Sequence, residues 1–310
     1  MTPYWDNGTV RVADLYSGAG GSAYGIYLAC QDAGIACHIT GFDLKYQPHY
    51  PSFHNAGYAK NFSFVLQDAL TVDLTPFDAV WASPPCQGYS IMNNLPWLVG
   101  KERPLLILPT IEKLDCSGKP YVVENVMGAR YGAKGLAKRG LEAHGLIAGW
   151  LCGTMFGLPF YRHRLFASSL LWLAPEHPKH RSRILAGRNL GERQHNVVFS
   201  RTEDARGNVH QSFSVRAASP IAAPIPNGNF DRWRASGDPM AALMGKMGTL
   251  GKWQNSNGAQ AAGVGHAKGW RLAAEAMGID WMRREELTQA IPPVYSRFVW
   301  RQLIEAWRRM

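Results

Sequence analysis

Val10–Tyr16 is an apolar run that ends in the turn Ser17-Gly18-Ala19-Gly20-Gly21 and passes straight into a helical stretch, Ser22–Cys30. A strand that breaks at glycines and opens a helix is the first half of a βαβ unit. It commits the chain to a layered α/β sheet more firmly than any other feature. The alternation continues: Ile39–Asp43, Phe64–Asp68, Phe77–Ser83 and Tyr121–Glu124 are short apolar runs that close on polar or turn residues, and Arg164–Ser169 reads as a further strand. Strands separated by helical stretches imply a parallel sheet with helices on both faces.

The character changes after Ser169. Pro, Gly, Ser, Asn, Arg and His dominate, and helical periodicity stays weak until about Gly269. Phe213, Phe230, Trp233 and Trp253 still give this stretch something to pack. From Gly269 a helical pattern returns. Pro292 and Pro293 can open a last helix, on which Tyr295, Val299, Leu303 and Trp307 recur every four residues as one apolar face. Three parts follow: a catalytic or cofactor domain at 1–168, a loop-rich region at 169–272, and a helical part at 273–310 that packs back on the first.

Of the 33 Lys+Arg and 23 Asp+Glu in the chain, 14 and 6 respectively fall between Ala167 and Leu272. A basic segment of this kind suits nucleic acid, or is a solvated basic surface. No stretch is long and apolar enough to span a membrane, and Met1–Tyr16 lacks the pattern of a secretion signal. Five cysteines without a CxxC pair argue against disulfides and against a metal site. A cytoplasmic monomer without metal is the expectation.

Gly18, Gly20 and Gly21 allow a tight turn and close backbone approach of a ligand, and the helix beyond favours a negative group at its N-terminus. Asp43 closes the next strand, where a carboxylate can accept from ribose hydroxyls, and Asp68 closes the third, where it can hold an adenine amino group. Together they point to an adenosine ligand. They do not separate a nicotinamide from a methionine derivative.

Ala82-Ser-Pro-Pro-Cys-Gln-Gly-Tyr-Ser90 breaks a strand abruptly, and its two prolines set Cys86 on a rigid turn at the C-terminal edge of the sheet. A cysteine held there is a candidate nucleophile. Cys30, Cys37, Cys116 and Cys152 read as core cysteines. Glu124, directly after the run Tyr121–Val123, suits the same edge and can act as an acid toward a ring nitrogen. Arg162 and Arg164 alternate on one strand face, where they can hold Glu124, a base carbonyl or a phosphate.

Asp14–Gly21, Pro84-Pro-Cys-Gln87, Glu124-Asn-Val126 and Arg162-x-Arg164 stand in an order that resembles the DNA cytosine-5 methyltransferases. The motifs spread over about half of the chain, and the combination is far more specific than the glycine turn alone. The resemblance implies a Rossmann-like S-adenosylmethionine-dependent methyltransferase sheet with a smaller, loop-rich target-recognition domain, acting on double-stranded DNA. In that family's terms Cys86 would attack carbon 6 of a flipped-out cytosine and Glu124 would contact and protonate N3. Arg164 would contact the base carbonyl, and Arg162 would orient the acid. Tyr16, Gly18, Gly20, Gly21, Asp43, Leu44, Asp68, Ala69 and Pro85 would line the S-adenosylmethionine site. Pro85 and Gln87 would shape the catalytic loop, and Gln87, Ser90, Arg181, Arg183, Arg232 and Arg234 would face DNA.

Two departures stand out. Phe160 sits where the family often has Gln, and Ala290-Ile-Pro-Pro-Val-Tyr295 replaces the familiar Gly-Asn-Ser, as in phage-type members. Three alternatives remain at this stage: an RNA cytosine-5 methyltransferase, a catalytically silent DNA-binding regulator on the same fold, and a nicotinamide oxidoreductase that would leave the Pro-Pro-Cys-Gln turn without purpose.

Overall fold

The computed structural model describes residues 8–54, 56–89, 102–131, 144–158, 162–177, 196–203, 209–216 and 270–309. Seven strands form one sheet: β1 Thr9–Leu15, β2 Ala36–Asp43, β3 Phe62–Leu66, β4 Ala79–Ala82, β5 Tyr121–Asn125, β6 Ile147–Leu151 and β7 Arg164–Ser168. Their order is β3-β2-β1-β4-β5-β7-β6. The first five run parallel, as the alternating pattern predicts. The all-parallel expectation fails at β7, which runs antiparallel to both β5 and β6. β6, with its weak alternation and central glycine, was not foreseen.

The fold is a Rossmann-like α/β sheet. The strand order reverses between β1 and β4, which opens a crevice at their C-terminal ends. All of β4 and β5 is buried because helices cover both faces. Alternate positions feed opposite cores. Val10, Val12 and Trp81 pack with helix α1 (Gly21–Asp32) and the C-terminal helices, whereas Ala13, Leu15, Val80 and Ala82 pack with Ile107, Ile111 and Leu114 of helix α3 (Ile107–Ser117). Two short helical turns, α2 (Pro51–His54) and α4 (Gly128–Tyr131), lie in the connections.

The C-terminal part comprises α5 (Trp270–Met277), α6 (Arg284–Gln289) and α7 (Pro293–Arg308). Helix α7 begins at the proline pair and buries Tyr295, Val299, Trp300, Leu303 and Ile304, matching the face read from the sequence. It lies directly on α1. A Cβ at Gly25 would come within 2.1 Å of the Pro293 carbonyl oxygen, so only glycine permits the approach. Arg297 adds a bidentate pair to Asp32 at 2.6 and 2.7 Å. Packing on the sheet runs past β7: Trp172 is buried and donates to the Ile147 carbonyl at 2.9 Å, and the Leu173 amide donates to Gln302. Beyond this strap, β8 (Asn196–Glu203) and β9 (Val209–Arg216) form an antiparallel hairpin. Among the described residues no helix is long and apolar enough to cross a membrane.

Candidate active site

The glycine turn leaves β1 through Tyr16, which adopts φ 59°, followed by Gly18 at 50° and Gly20 at 82°. A left-handed tyrosine is costly, and the surroundings hold it: the Ser17 amide donates to the Phe42 carbonyl, and the Tyr16 hydroxyl bonds Thr110 at 2.9 Å. The Gly18 amide donates to Asp43 Oδ2 at 3.0 Å, and the Lys45 amide donates to Oδ1 at 2.9 Å. Asp43 therefore clamps the turn while its carboxylate stays at the rim.

The three glycines divide by purpose. A Cβ on Gly18 would meet nothing within 4 Å, so its side of the turn is open to a ligand. A Cβ on Gly20 would meet Pro51 Cδ at 2.5 Å, and one on Gly21 the Ile291 carbonyl oxygen at 2.6 Å, so these two are required by packing. The N-terminus of α1 has no side-chain cap and no acidic residue in its first turn, which leaves it disposed toward an anionic group. Below the turn, Asp14 is fully buried and accepts from Ser22 Oγ at 3.1 Å; burial pushes its carboxyl up to about 8.

Asp68 lies two residues beyond β3, which runs two residues earlier than the apolar pattern suggests. It caps a short 3-10 turn by accepting from the Leu70 amide at 2.9 Å, with Ala69 buried behind it. Leu44 is 68% exposed beside Asp43, an apolar surface on the rim.

Across the crevice, the Ser83 amide donates to the Leu15 carbonyl, and Asn125 Nδ2 donates to the Pro84 carbonyl at 2.8 Å. Cys86 is half-buried on the turn that follows, and its carbonyl accepts from the Tyr89 amide. The Tyr89 hydroxyl in turn accepts from the Ile107 amide at 3.0 Å, and a Cβ on Gly88 would strike Leu105 at 2.7 Å, so the turn is packed onto the start of α3. Burial pushes the Cys86 thiol up, the Arg164 guanidinium pulls it down, and Glu124 and Arg162 act on it as well. Gln87 is exposed next to it.

Glu124 is buried in β5 and paired with Arg164, Nε to Oε1 at 3.1 Å. Burial raises its carboxyl above the ordinary glutamate value, against the lowering effects of Arg164, Arg162 and a hydrogen bond with Ser83. Arg162 is buried just before β7 and donates to the Thr288 carbonyl at 2.7 Å, at the carbonyl end of α6. Burial and the neighbouring Arg164 pull its guanidinium down to about 9. The Tyr295 hydroxyl donates to the Arg162 carbonyl at 2.7 Å. Together these form a half-buried thiol beside a buried acid and two arginines, facing a glycine turn ringed by carboxylates.

Ser83, Asn125 and Tyr295 belong to this arrangement, although reading the sequence assigned them no role. Ser83 and Asn125 carried a local signal in standing near Cys86 and Glu124, and Tyr295 was marked only by the apolar face of the last helix and the Ala290–Tyr295 segment. Ser90, Arg181, Arg183, Arg232 and Arg234 lie outside the described residues.

No family model matches the chain. A stretch of 102 residues is 33% identical to the type II methyltransferase M1.BsuMI of Bacillus subtilis strain 168, covering 28% of this chain and 24% of that protein. The match thus spans about a quarter of that relative's length. Among solved structures, the Dnmt2 methyltransferase of S. pombe is 25% identical with a TM-score of 0.37, over 54% of this chain and 53% of that one. The 1,6-didemethyltoxoflavin-N1-methyltransferase of Burkholderia thailandensis, with S-adenosylhomocysteine bound, is 14% identical with a TM-score of 0.33, over 52% and 71%.

Proposed function

We propose that this chain is a DNA cytosine-5 methyltransferase, moving a methyl group from S-adenosylmethionine to carbon 5 of a flipped-out cytosine. The observation that carries this reading is the meeting of Cys86, Glu124 and Arg164 at one sheet edge, opposite the open side of Gly18. The likeness to a type II methyltransferase supports the methyltransferase class.

The crevice fits the donor. Gly18 leaves room for it, the uncapped start of α1 suits its carboxylate, and Asp43 and Asp68 stand where its ribose and adenine would be held. Leu44 offers an apolar surface to the adenine, with Tyr16, Ala69 and Pro85 completing the lining and Gly20 and Gly21 supporting from behind. S-adenosylmethionine bound there supplies an electrophilic methyl group.

Carbon 5 of cytosine is a poor nucleophile until a thiolate adds to carbon 6. Cys86 is that thiolate, and its rigid turn aims it. Burial raises this thiol, and Arg164 and Arg162 pull against that rise, favouring the thiolate. Burial shifts the Glu124 carboxyl toward its protonated form, so it can share a proton with N3 as charge develops on the ring. Arg164 fixes the carboxyl and can reach the base carbonyl. After methyl transfer, loss of the carbon 5 proton and departure of Cys86 restore the aromatic ring and the free thiol. Exposing carbon 6 requires the base to leave the stack, at a few kcal/mol. The basic region 169–272, as a target-recognition domain, supplies the offsetting phosphate contacts, with Arg181, Arg183, Arg232 and Arg234 as candidates and Gln87 and Ser90 at the catalytic loop.

The test is transfer of tritium from methyl-labelled S-adenosylmethionine to mixed-sequence duplex DNA, with Cys86→Ala alongside and transfer RNA as a second acceptor. Label recovered as 5-methylcytosine in DNA, with the wild-type chain alone, is the expected result. Label in transfer RNA only would move the acceptor to RNA. Tight DNA binding without label in either would favour a silent regulator.

A further inference from the structure

A second cluster of reactive side chains lies away from the cofactor crevice. Leu151 of β6 is registered against Arg164 of β7, so Cys152 and His163 are the next opposed positions, just beyond the last pair of the ladder. The strap after β7 is tied to β6 by Trp172 and to α7 by Leu173, and it delivers His177 to the same place. The His163 and His177 rings lie 5.5 Å apart, and both pack against Trp150, at 5.3 and 4.7 Å. The Cys152 sulfur and a nitrogen of each ring fall within 4.8 Å of one another.

We propose that Cys152, His163 and His177 form a binding site for zinc or another borderline-soft divalent cation. A thiolate and two imidazoles select such ions over magnesium or calcium. Three protein donors, with water as the fourth, complete a tetrahedral shell. Zinc bonds of about 2.0–2.3 Å need donors roughly 3.5 Å apart, so small side-chain rotations close the shell.

The surroundings of the sulfur point the same way. Cys152 is buried; the backbone amides of Gly153, Thr154 and Arg162 donate to its sulfur, which also shares a hydrogen bond with the Thr154 hydroxyl at 3.3 Å. These contacts orient the sulfur, as the outer contacts of a metal ligand do. Donors at positions 152, 163 and 177 carry no short-spacing signature, which is why the absence of a CxxC pair is a poor guide here.

The placement gives the ion a purpose. His163 stands between Arg162 and Arg164, so an ion bound to it pins the backbone that carries both arginines. His177 ends the strap that leads into the basic region, so the same ion fastens that region's root to the sheet. The site stands independently of the methyltransferase reading.

The test is titration of the full-length, metal-stripped protein with Co²⁺ alone, followed by displacement with Zn²⁺. One equivalent of Co²⁺ should produce a thiolate-to-cobalt charge-transfer band in the near ultraviolet, with visible bands of four-coordinate intensity. Cys152→Ser should abolish the charge-transfer band, and His163→Gln and His177→Gln should weaken binding about 10-fold or more. Absence of the band overturns the proposal. So does a band that survives Cys152→Ser, including one that disappears in Cys86→Ser instead. Should circular dichroism show Cys152→Ser unfolded, His177→Gln decides: unchanged cobalt affinity in that folded variant overturns the site.

Discussion

The ends of β1–β3 and the ends of β4, β5 and β7 build their halves of the crevice differently. On the first side the bonds to the carboxylates are short-range or join neighbouring strands. Asp43 accepts from Lys45 two residues on, Asp68 from Leu70, and Gly18 reaches Asp43 on the adjacent strand. On the second side Glu124 is held from Arg164, Pro84 from Asn125, and Arg162 from Thr288, 126 residues away. The carboxylates of the first half are held by local bonds, with Ile291 and Trp281 of the C-terminal part packed behind its glycine turn. The second is complete only when α6 and α7 have docked. Donor binding and chemistry should therefore be separable by mutation.

Cys86→Ala should show the largest effect. Methyl transfer should fall at least about 10³-fold while donor affinity measured by calorimetry stays unchanged. Equal loss of both would mean the two halves are not independent. Glu124→Gln should lower kcat by about 10²–10⁴, again sparing donor affinity. Arg164→Leu, its companion, should move the acid limb of the pH–rate profile to higher pH, because Arg164 lowers the Cys86 thiol. An unmoved limb would remove Arg164 from thiol activation.

Asp43→Asn tests the opposite half. Donor Kd should rise about 10–100-fold with kcat at saturation nearly unchanged, the reverse of the Glu124 pattern. Asp14 gives the same half a pH signature. Its folded value of about 8 lies above the ordinary 3.8, so the folded state holds the proton more tightly. The stability from this group is fully present below the ordinary value and is lost as pH rises through about 8. Urea midpoints at pH 6 and 9 should decline for the wild type and stay flatter for Asp14→Asn. Parallel declines would reject the assignment.

The smallest expected effect is that of Tyr295→Phe. Loss of its bond to the Arg162 carbonyl should cost about 1 kcal/mol and lower activity several-fold without touching donor affinity. A change confined to donor affinity would show that α7 serves the wrong half for this account.

Much of the site is legible in the residue order because its parts sit at strand ends, and strand ends carry local signals. Glycines mark the turn after β1, a proline pair marks the turn after β4, and an acid after an apolar run marks the end of β5. The glycines were nevertheless read too uniformly. Gly18 faces open space, whereas Gly20 and Gly21 yield to Pro51 and Ile291, and nothing in a run of glycines distinguishes a ligand's approach from a neighbour's. Asn125 was visible as a letter in a motif but not as the residue that joins the Cys86 turn to the strand of Glu124.

The amino-acid sequence by itself determined the layered α/β class, the strand-end positions of Asp43, Cys86 and Glu124, and the apolar face of α7, because periodicity and turn chemistry are properties of neighbouring residues. Only the tertiary structure decided that β7 runs antiparallel, that Arg162 closes the carbonyl end of α6, and that Cys152, His163 and His177 meet. Those outcomes depend on strand register and on which distant group reaches a buried polar atom first. A buried charge or carbonyl must find a partner wherever the fold brings one, and the order of residues does not say where that is.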